Sequence, residues 1–344
     1  MIVRAANSSA ARSVAANANI LLIRFKSIGD ILFTLPAAHR VREAFPEARI
    51  SFLVSKEYAP LLAGFRDVDA VISLDRARFR HPNPGVIITE ALALLRHLRR
   101  PKFSLAVDFQ GYGETAWLTW WSGARQRWGT VYRAARKWAY TIGVKRDPGI
   151  HPAAGFLALL EAGGMRSAAI RNQFSLPGNA AKEAQRLFLD RGLDPARPTL
   201  FVQPFTSAPH KDWPLERYLA VAGFWRRRRW QVLFGGGPTE QAALEPVRQA
   251  GFPVSAGAPL LVTAGLMKQS TLVLGGDTGL LHLAVAMDKR VVMILSSNMP
   301  GSSHPFQHPD WTIIPASGRA VDTISPDGVN EACDRAIAEL SVRG

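Results

Sequence analysis

The chain has 344 residues, of which 47% are hydrophobic, and it carries a formal net charge of +15 at pH 7. This length exceeds what one hydrophobic core usually serves, so we expect two domains. The single cysteine excludes an internal disulfide and a cysteine-cluster metal site, and no apolar run reaches the about 20 residues needed to span a bilayer. The excess of Lys and Arg predicts an anionic partner, for which nucleic acid, an anionic membrane surface and a phosphorylated substrate all qualify.

The first half of the chain alternates strands and helices after a short polar start. Residues 1–19 are rich in Ala, Ser, Asn and Arg without an apolar core, so we expect a disordered extension and not a secretory signal. The alternation beyond them predicts a parallel, doubly wound sheet in an N-terminal Rossmann-like domain over 20–175. The predicted strands are 20–24, 50–54, 70–74 and 105–109, and the predicted helices are 31–44, 86–98, 114–121 and 151–161.

The second half repeats this pattern after a change in composition. Residues 176–198 contain Pro-Gly and Asp-Pro steps around one helix at 180–191, and they are expected to be a linker region. A second Rossmann-like domain over 199–344 follows, with its last helix able to pack back on the first domain. Ligands of such sheets bind beyond the carboxyl ends of the strands, so a central cleft between the domains is expected. The predicted strands are 199–203, 231–234, 254–255 and 291–295, with one more at the start of the segment 270–286, and the predicted helices are 215–226, 239–250, 260–268 and 326–340.

The most informative segment is a glycine-rich turn between a strand and a helix at 270–286. Its glycines let the backbone approach a ligand, and the N-H groups of the first helical turn favour a phosphate or diphosphate. Asp277 and His282 add an acceptor and a donor suited to sugar hydroxyls, with Thr278 and Gly279 between them. The alternative interpretation makes Asp277 an N-cap and His282 an ordinary residue of the helix face.

Five motifs together resemble one known family, the bacterial lipopolysaccharide heptosyltransferases of glycosyltransferase family nine. The similarity runs from residue 20 to about residue 340. Each motif is weak alone, and five in the same order are specific. They are IRFKSIGDILFTLP at 23–36, VDFQG at 107–111, KDWP at 211–214, GGGPTE at 235–240 and DTGLLHLA at 277–284.

The resemblance implies an α/β fold of the GT-B type and an inverting transfer of heptose from ADP-heptose to a lipopolysaccharide core or similar glycan acceptor. It implies that Asp30 is the general base, although Asp30 can also be interpreted as the N-cap of the following helix. Lys211 is the cation expected to stabilise the diphosphate leaving group. The remaining donor-side residues implied are Thr206, Ser207, Glu240, Asp277, Thr278, Gly279 and His282, where Glu240 has the alternative role of a helix N-terminal acid.

The acceptor is expected to contact the first domain. The candidate residues are Ser27, Gly29, Asp108, Gln110, Arg133, Arg136 and Lys137. The last three belong to a basic segment, residues 133–146, with interleaved aromatic residues, which suits contact with phosphorylated saccharide or lipid head groups. A basic face exposed to solvent explains the segment equally well. The enzyme is expected in the cytoplasm, peripheral at the inner face of the inner membrane, where its basic surface meets anionic lipid.

No cofactor or metal is expected, because no cluster of His and carboxylates has ligand spacing and Lys211 with a helix terminus can replace a divalent cation. Three other functions make different demands on the sequence. A nicotinamide oxidoreductase needs a G-x-G-x-x-G turn after the first strand, which is missing here. A basic nucleic-acid-binding protein needs a recognised module or a contiguous basic face, and neither can be seen in the sequence. A transferase of the same fold with another donor remains open, because the loop at 296–309 departs from the family pattern.

Overall fold

The computed structural model describes residues 10–80, 82–166, 169–296, 303–316 and 319–343. The chain divides into two compact units, Met1–Asn172 and Gln173–Gly344. Each unit contains a six-stranded parallel sheet with helices between its strands. Among the described residues, no helix combines the length and apolar composition needed to cross a membrane.

The sheet of the first unit has the strand order β3-β2-β1-β4-β5-β6. Its central strands are buried on both faces, as expected when helices cover a parallel sheet on both sides. The strands are β1 (Asn19–Ile23), β2 (Arg49–Ser55), β3 (Ala70–Leu74), β4 (Leu105–Asp108), β5 (Gln126–Val131) and β6 (Ile142–Lys145), and the helices are α1 (Ile28–Leu32), α2 (Leu35–Ala44), α3 (Pro84–Arg99), α4 (Gly113–Trp121) and α5 (Pro152–Ala162).

The sheet of the second unit has the order β12-β11-β10-β7-β8-β9. Its first strand, β7, lies beside its fourth, β10, so the strand order is the same as in the first unit when read from the opposite edge. Leu200, Phe234 and Leu274 of three neighbouring strands are fully buried in its core with Trp213 and Tyr218. The strands are β7 (Thr199–Gln203), β8 (Gln231–Gly236), β9 (Val254–Ala256), β10 (Leu272–Gly276), β11 (Val291–Ile294) and β12 (Thr312–Ile313), and the helices are α6 (Gly178–Asp190), α7 (Leu215–Arg227), α8 (Glu245–Gln249), α9 (Leu260–Gln269), α10 (Gly279–Ala286) and α11 (Pro326–Arg343).

Several boundaries differ from the sequence expectation. Residues 10–19 are ordered, because Val14 and Ala18 are buried and the Ala11 N-H donates to the Gly163 carbonyl at 3.0 Å, whereas residues 1–9 lie outside the described residues. The expected linker at 176–198 contributes α6, whose buried residues Ala180, Ala184 and Phe188 face the second unit, where α6 packs on α9. Helix α11 packs against α7, β10 and β11 of its own unit.

Candidate active site

Both candidate site regions lie where the winding of their sheet reverses. In the first unit β1 and β4 are neighbours, and the chain leaves them toward opposite sides. In the second unit β10 and β7 have the same relation. Ligands of doubly wound sheets bind in the crevice at this switch point, beyond the carboxyl ends of the strands. The loop carrying Asp30 follows β1, and the segments carrying Lys211 and Asp277 follow β7 and β10.

Asp30 is held at the start of α1 by a buried arginine. Its Oδ2 atom lies 2.7 Å from Nη2 of Arg24 and accepts hydrogen bonds from the backbone N-H and hydroxyl of Ser27, each at 3.3 Å. Ser27 is the N-cap of α1, and Asp30 accepts from the Ser27 N-H as the third residue of a capping box, so Asp30 supports the helix start without being its N-cap. Within the described part of the chain, Oδ1 of Asp30 receives no hydrogen bond, which leaves one oxygen of a partly exposed carboxylate available for a proton.

Arg24 joins the two strands of this switch point, and sequence reasoning gave it no role. Its Nη1 donates to the Phe109 carbonyl at 2.9 Å and its Nε to the Lys26 carbonyl at 3.0 Å. The residue is only 5% exposed, so its paired charge is fixed in position. The available signal was a charged residue directly after the apolar run 20–23 of β1, because a buried cation at that place needs an anionic partner.

Asp108 and Gln110, expected to contact the acceptor, are buried and occupied by internal bonds. Asp108 accepts from the backbone N-H groups of Gln110 and Gly111 at 2.8 and 2.9 Å and from the Tyr140 hydroxyl at 2.6 Å. Gln110 accepts from the Phe25 N-H at 3.0 Å. Burial raises the pKa of Asp108 although these hydrogen bonds act to lower it. The two side chains therefore shape the turn after β4, and direct acceptor contact would require an exposure that they lack.

The other acceptor candidates lie nearer the surface. Ser27 is exposed beside Asp30, and Gly29 is buried within α1. Arg133 and Lys137 are exposed, whereas Arg136 is half-buried and donates from Nη1 to the Gly111 carbonyl at 2.9 Å. Arg136 thus connects the basic segment to the turn after β4.

An ion pair bridges the switch point of the second unit. Nζ of Lys211 lies 2.8 Å from Oδ2 of Asp277, and Nε2 of His282 lies 3.4 Å from Oδ1 of the same carboxylate. Burial raises the pKa of Asp277, but the hydrogen bond and charge of His282 and then those of Lys211 outweigh it, so the pKa is lowered. The N-cap of α10 is Thr278 rather than Asp277, which contradicts the interpretation of Asp277 as a cap.

Two glycines at the end of β10 bring the neighbouring loop close to this carboxylate. A Cβ at Gly275 would lie 2.5 Å from the Gln203 carbonyl oxygen, and one at Gly276 would lie 2.5 Å from Cγ2 of Thr206. The close approach needs residues without a side chain at both positions. It places the loop after β7 directly beside the start of α10.

Thr206 orders that loop, and Ser207 is exposed on it. The Thr206 N-H donates to Oδ1 of Asp212 at 2.7 Å, while its hydroxyl donates to the Ala208 carbonyl at 3.0 Å. Asp212 is a second residue to which the sequence reasoning gave no role. Nε1 of Trp213 donates to the Ile324 carbonyl at 3.0 Å, which fastens the KDWP motif to the core.

Glu240 lies beyond the carboxyl end of β8, in a 3-10 helix at Pro238–Glu240. Its Oε2 accepts from the Gly237 N-H at 2.7 Å, which is the helix N-terminal role considered as the alternative. The carboxylate is half-buried at the same sheet edge as Lys211 and Asp277. Within the described ranges, no group of three or more His, Cys, Asp or Glu is placed to hold a metal ion. Residues 297–302 of the divergent loop lie outside the described residues.

The sequence profile of glycosyltransferase family 9 (heptosyltransferase) matches residues 91–318, which is more than half of the chain. The chain belongs to this family. It is therefore a glycosyltransferase, and the resemblance drawn from the five motifs is confirmed.

Two relatives illustrate the similarity of this glycosyltransferase to named proteins. The lipopolysaccharide core heptosyltransferase OpsX of Haemophilus influenzae is 22% identical over 85% of this chain and 83% of its own length. Lipopolysaccharide heptosyltransferase 1 of Pseudomonas aeruginosa is 26% identical over 82% of this chain and 79% of its own length.

Solved structures confirm the predicted GT-B class of two Rossmann-like parallel-sheet domains. A family 9 glycosyl transferase from Veillonella parvula has a TM-score of 0.84 at 18% identity, covering 95% of this chain and 99% of that one. The Escherichia coli heptosyltransferase WaaC with ADP-2-deoxy-2-fluoro heptose has a TM-score of 0.74 at 19% identity, covering 92% and 99%.

Proposed function

We propose that this glycosyltransferase moves a heptose from ADP-heptose to a lipopolysaccharide core or similar glycan acceptor, with inversion at the anomeric carbon. The names of both relatives and the ADP-2-deoxy-2-fluoro heptose of the E. coli WaaC structure support this choice of donor and acceptor. The observation that carries the proposal is the Lys211–Asp277 pair beside the start of α10, because it combines a cation, helix N-H groups and a carboxylate at a switch point.

Asp30 is the proposed general base. Inversion is a single displacement in which the acceptor hydroxyl oxygen bonds to the anomeric carbon as the bond to the diphosphate breaks. Oδ1 of Asp30 takes the hydroxyl proton, while Arg24 and Ser27 hold Oδ2 and thereby fix the direction of the carboxylate. The Ser27 hydroxyl is close enough to Asp30 to orient the reacting sugars.

The diphosphate gains negative charge as it leaves. Nζ of Lys211 and the N-H groups of Thr278 and Gly279 are placed around the switch point of the second unit, and preorganised donors of this kind stabilise charge that develops in the transition state. Thr206 and Ser207 complete the phosphate side on the neighbouring loop. These groups supply the positive charge that a divalent cation supplies elsewhere, so we propose a metal-independent reaction.

The sugar and ribose are held by carboxylates of the same sheet edge. Asp277 and His282 suit the heptose hydroxyls, because one accepts and the other can donate a hydrogen bond. The Oε1 atom of Glu240 suits a ribose hydroxyl, since Oε2 is already bound to Gly237. The acceptor is proposed to contact Ser27, Arg133 and Lys137, and the enzyme to work at an anionic membrane surface in the cytoplasm.

The decisive experiment is to incubate the protein with ADP-heptose and a truncated lipopolysaccharide core in EDTA and to measure ADP release. Release is expected with both substrates present. No release with ADP-heptose, together with release from a different nucleotide sugar, would overturn the donor assignment. A requirement for added divalent metal would overturn metal independence.

The role of Asp30 is tested by Asp30→Asn. We expect transfer to fall about 10²- to 10⁴-fold, the usual contribution of a general base, while ADP-heptose binding measured by calorimetry is retained. Asp67→Asn, at an aspartate of the same unit outside the proposed site, is the control. Turnover by Asp30→Asn at the wild-type rate would exclude the base role.

A further inference from the structure

Helix α4 has polar as well as apolar residues on its buried side. It buries Thr115 and Thr119 along with Ala116 and Leu118, and Ser122 is buried directly after the helix. Each hydroxyl donates to a backbone carbonyl, the Thr119 hydroxyl to Thr115 at 2.7 Å and the Ser122 hydroxyl to Thr119 at 2.6 Å. A helix on a water-facing surface normally buries its apolar side, so this arrangement indicates an exposed side selected for another contact.

The exposed side of α4 is made of tryptophan. Trp117, Trp120 and Trp121 are 48%, 45% and 42% exposed, and Trp138 from the basic segment joins them at 47%. The ring centroids of Trp117 and Trp138 are 4.6 Å apart, and those of Trp117 and Trp120 are 5.9 Å apart. We call these four side chains the tryptophan cluster. An exposed contiguous apolar patch of this kind marks an interaction site.

A basic hollow of about 580 Å³ lies at the end of the same helix. Arg99, Lys102 and Arg125 line it, with Gly123 two residues after the end of α4, and a Cβ at Gly123 would lie 3.2 Å from Nη1 of Arg99. In the described part of the chain, none of the three cations forms an ion pair with a carboxylate. The hollow therefore offers uncompensated positive charge at the end of the helix that carries three of the four tryptophans.

We propose that the tryptophan cluster and the basic hollow dock the first unit on an anionic phospholipid bilayer. Indole rings are favoured at the boundary between lipid head groups and acyl chains, and cations near an anionic membrane surface are attracted to it. We choose a bilayer as the occupant on charge complementarity, because the exposed tryptophans are joined by three cations on the same unit, and α3 adds the exposed apolar residues Ile88 and Leu92.

Docking at this surface has a consequence for catalysis, and here the inference rests on the proposed function. Trp138 lies two residues from Arg136, which donates to the Gly111 carbonyl in the turn after β4. The turn after β4 is next to the Asp30 loop, because Arg24 contacts Phe109 and Asp30. The tryptophan cluster thus reaches the acceptor side of the site through Trp138, which suits an acceptor whose lipid remains in the bilayer, whereas the basic hollow lies at the other edge of the sheet, at the starts of β4 and β5.

The test is co-sedimentation of the full chain with sucrose-loaded vesicles of phosphatidylcholine containing 30% phosphatidylglycerol, without acceptor or donor. We expect Trp117→Ser/Trp120→Ser/Trp121→Ser to reduce partitioning at least about tenfold and Arg99→Gln/Arg125→Gln to reduce it about 25-fold, since one cation contributes about fivefold, or about 1 kcal/mol. The controls are Leu189→Ser and Arg186→Gln, at exposed positions of α6 in the other unit.

Unchanged partitioning of both variant sets would overturn the proposal, as would equal binding to vesicles of phosphatidylcholine alone. Sedimentation velocity tests whether a second copy of the chain covers the tryptophan cluster. A wild-type dimer that becomes a monomer in the tryptophan variant, in a protein that does not bind vesicles, would also overturn the proposal. Circular dichroism shows whether each variant is folded. If the tryptophan variant does not fold, the arginine variant still tests the proposal. ADP release with a water-soluble core oligosaccharide separates loss of docking from loss of the proposed activity, because docking variants should keep it.

Discussion

Lys211 is the residue on which the proposed leaving-group chemistry depends most directly. Its side chain is 31% exposed and already aligned by Asp277. We expect Lys211→Ala to lower kcat about 10²- to 10³-fold, because a preorganised contact to developing charge contributes about 3 to 4 kcal/mol. Steady-state ADP release measures this. Lys182→Ala on α6 is the matched control, and equal rates for the two variants would remove Lys211 from the mechanism.

Asp277 also gives the fold a defined dependence on pH. Burial raises its pKa, but His282 and Lys211 outweigh burial and lower it. Because the folded pKa lies below the unfolded value of about 3.9, ionised Asp277 stabilises the fold above that pH, and this contribution is lost as the pH falls through the folded pKa. Asp277→Asn should therefore lower Tm at pH 7 and lower it less at pH 3.

Thermal unfolding followed by circular dichroism between pH 7 and pH 3 measures this difference. Asp288→Asn is the control, because Asp288 is exposed and its φ of 60° suits asparagine as well. A Tm difference between wild type and Asp277→Asn that is constant across the range would show that the charge of Asp277 has no part in stability.

At the residue scale, sequence patterns identified the candidate site residues that stand within a motif and missed the residues that hold them in place. Asp30, Lys211 and Asp277 follow strands and stand in glycine-bearing or loop segments, which is where ligand groups are expected. Arg24 was missed because a single cation after an apolar strand has no pattern of its own. The burial of Asp108 was missed because its main partner Tyr140 is 32 residues away along the chain.

At the element scale, the junction of β10 with β7 depends on Gly275. A Cβ there would lie 2.5 Å from a backbone oxygen of Gln203, which cannot move without disturbing the sheet. We expect Gly275→Ala to destabilise the second unit by about 1 to 3 kcal/mol. Gly178→Ala, at the first residue of α6 with no atom within 4 Å of the added Cβ, should be neutral or slightly stabilising.

Urea unfolding followed at 222 nm compares the two variants as shifts in midpoint. Both glycines belong to the same unit, so a difference between them reports local packing. Equal midpoints would mean that the end of β7 at Gln203 can shift away from β10 at no cost, and the close approach would then be unnecessary.

The periodicity of the sequence predicted most elements and failed where polar residues enter them. Strands 70–74 and 199–203 have the predicted bounds, because both are short apolar runs between clear turns. Strands β5 and β6 were not predicted, since arginine, glycine and lysine interrupt their apolar pattern. The expected helix at 31–44 is two helices, α1 and α2, and the second has Pro36 in its first turn.

At the scale of the whole molecule, the charge of +15 leaves nucleic acid as a partner to be tested. We expect no specific band shift with duplex DNA at 150 mM salt and only weak, steeply salt-dependent binding below it, because the basic residues are spread over both units. A gel-shift assay with salt titration measures this. Tight binding that survives 200 mM salt would contradict the expectation.

The fold class was predictable because strand and helix patterns alternate through both halves, and the family resemblance follows from motifs at the strand ends. The order of strands in each sheet was not predictable from periodicity, since it depends on which buried strands pair across long stretches of chain. The exposure of the tryptophans of α4 was equally hidden, because an apolar helix pattern ordinarily indicates burial.

The repeated strand order has an evolutionary consequence. Each half carries its proposed chemistry where the winding of its own sheet reverses: the proposed base Asp30, held by Arg24, in one half, and a cation paired with a carboxylate in the other. The loops at the carboxyl ends of one unit's strands can change without altering the hydrogen bonds that hold the site residues of the other unit. Under the proposed function, selection for a new acceptor and selection for a new donor act on separate stretches of the gene, so recombination near residue 172 would exchange one specificity and leave the other intact.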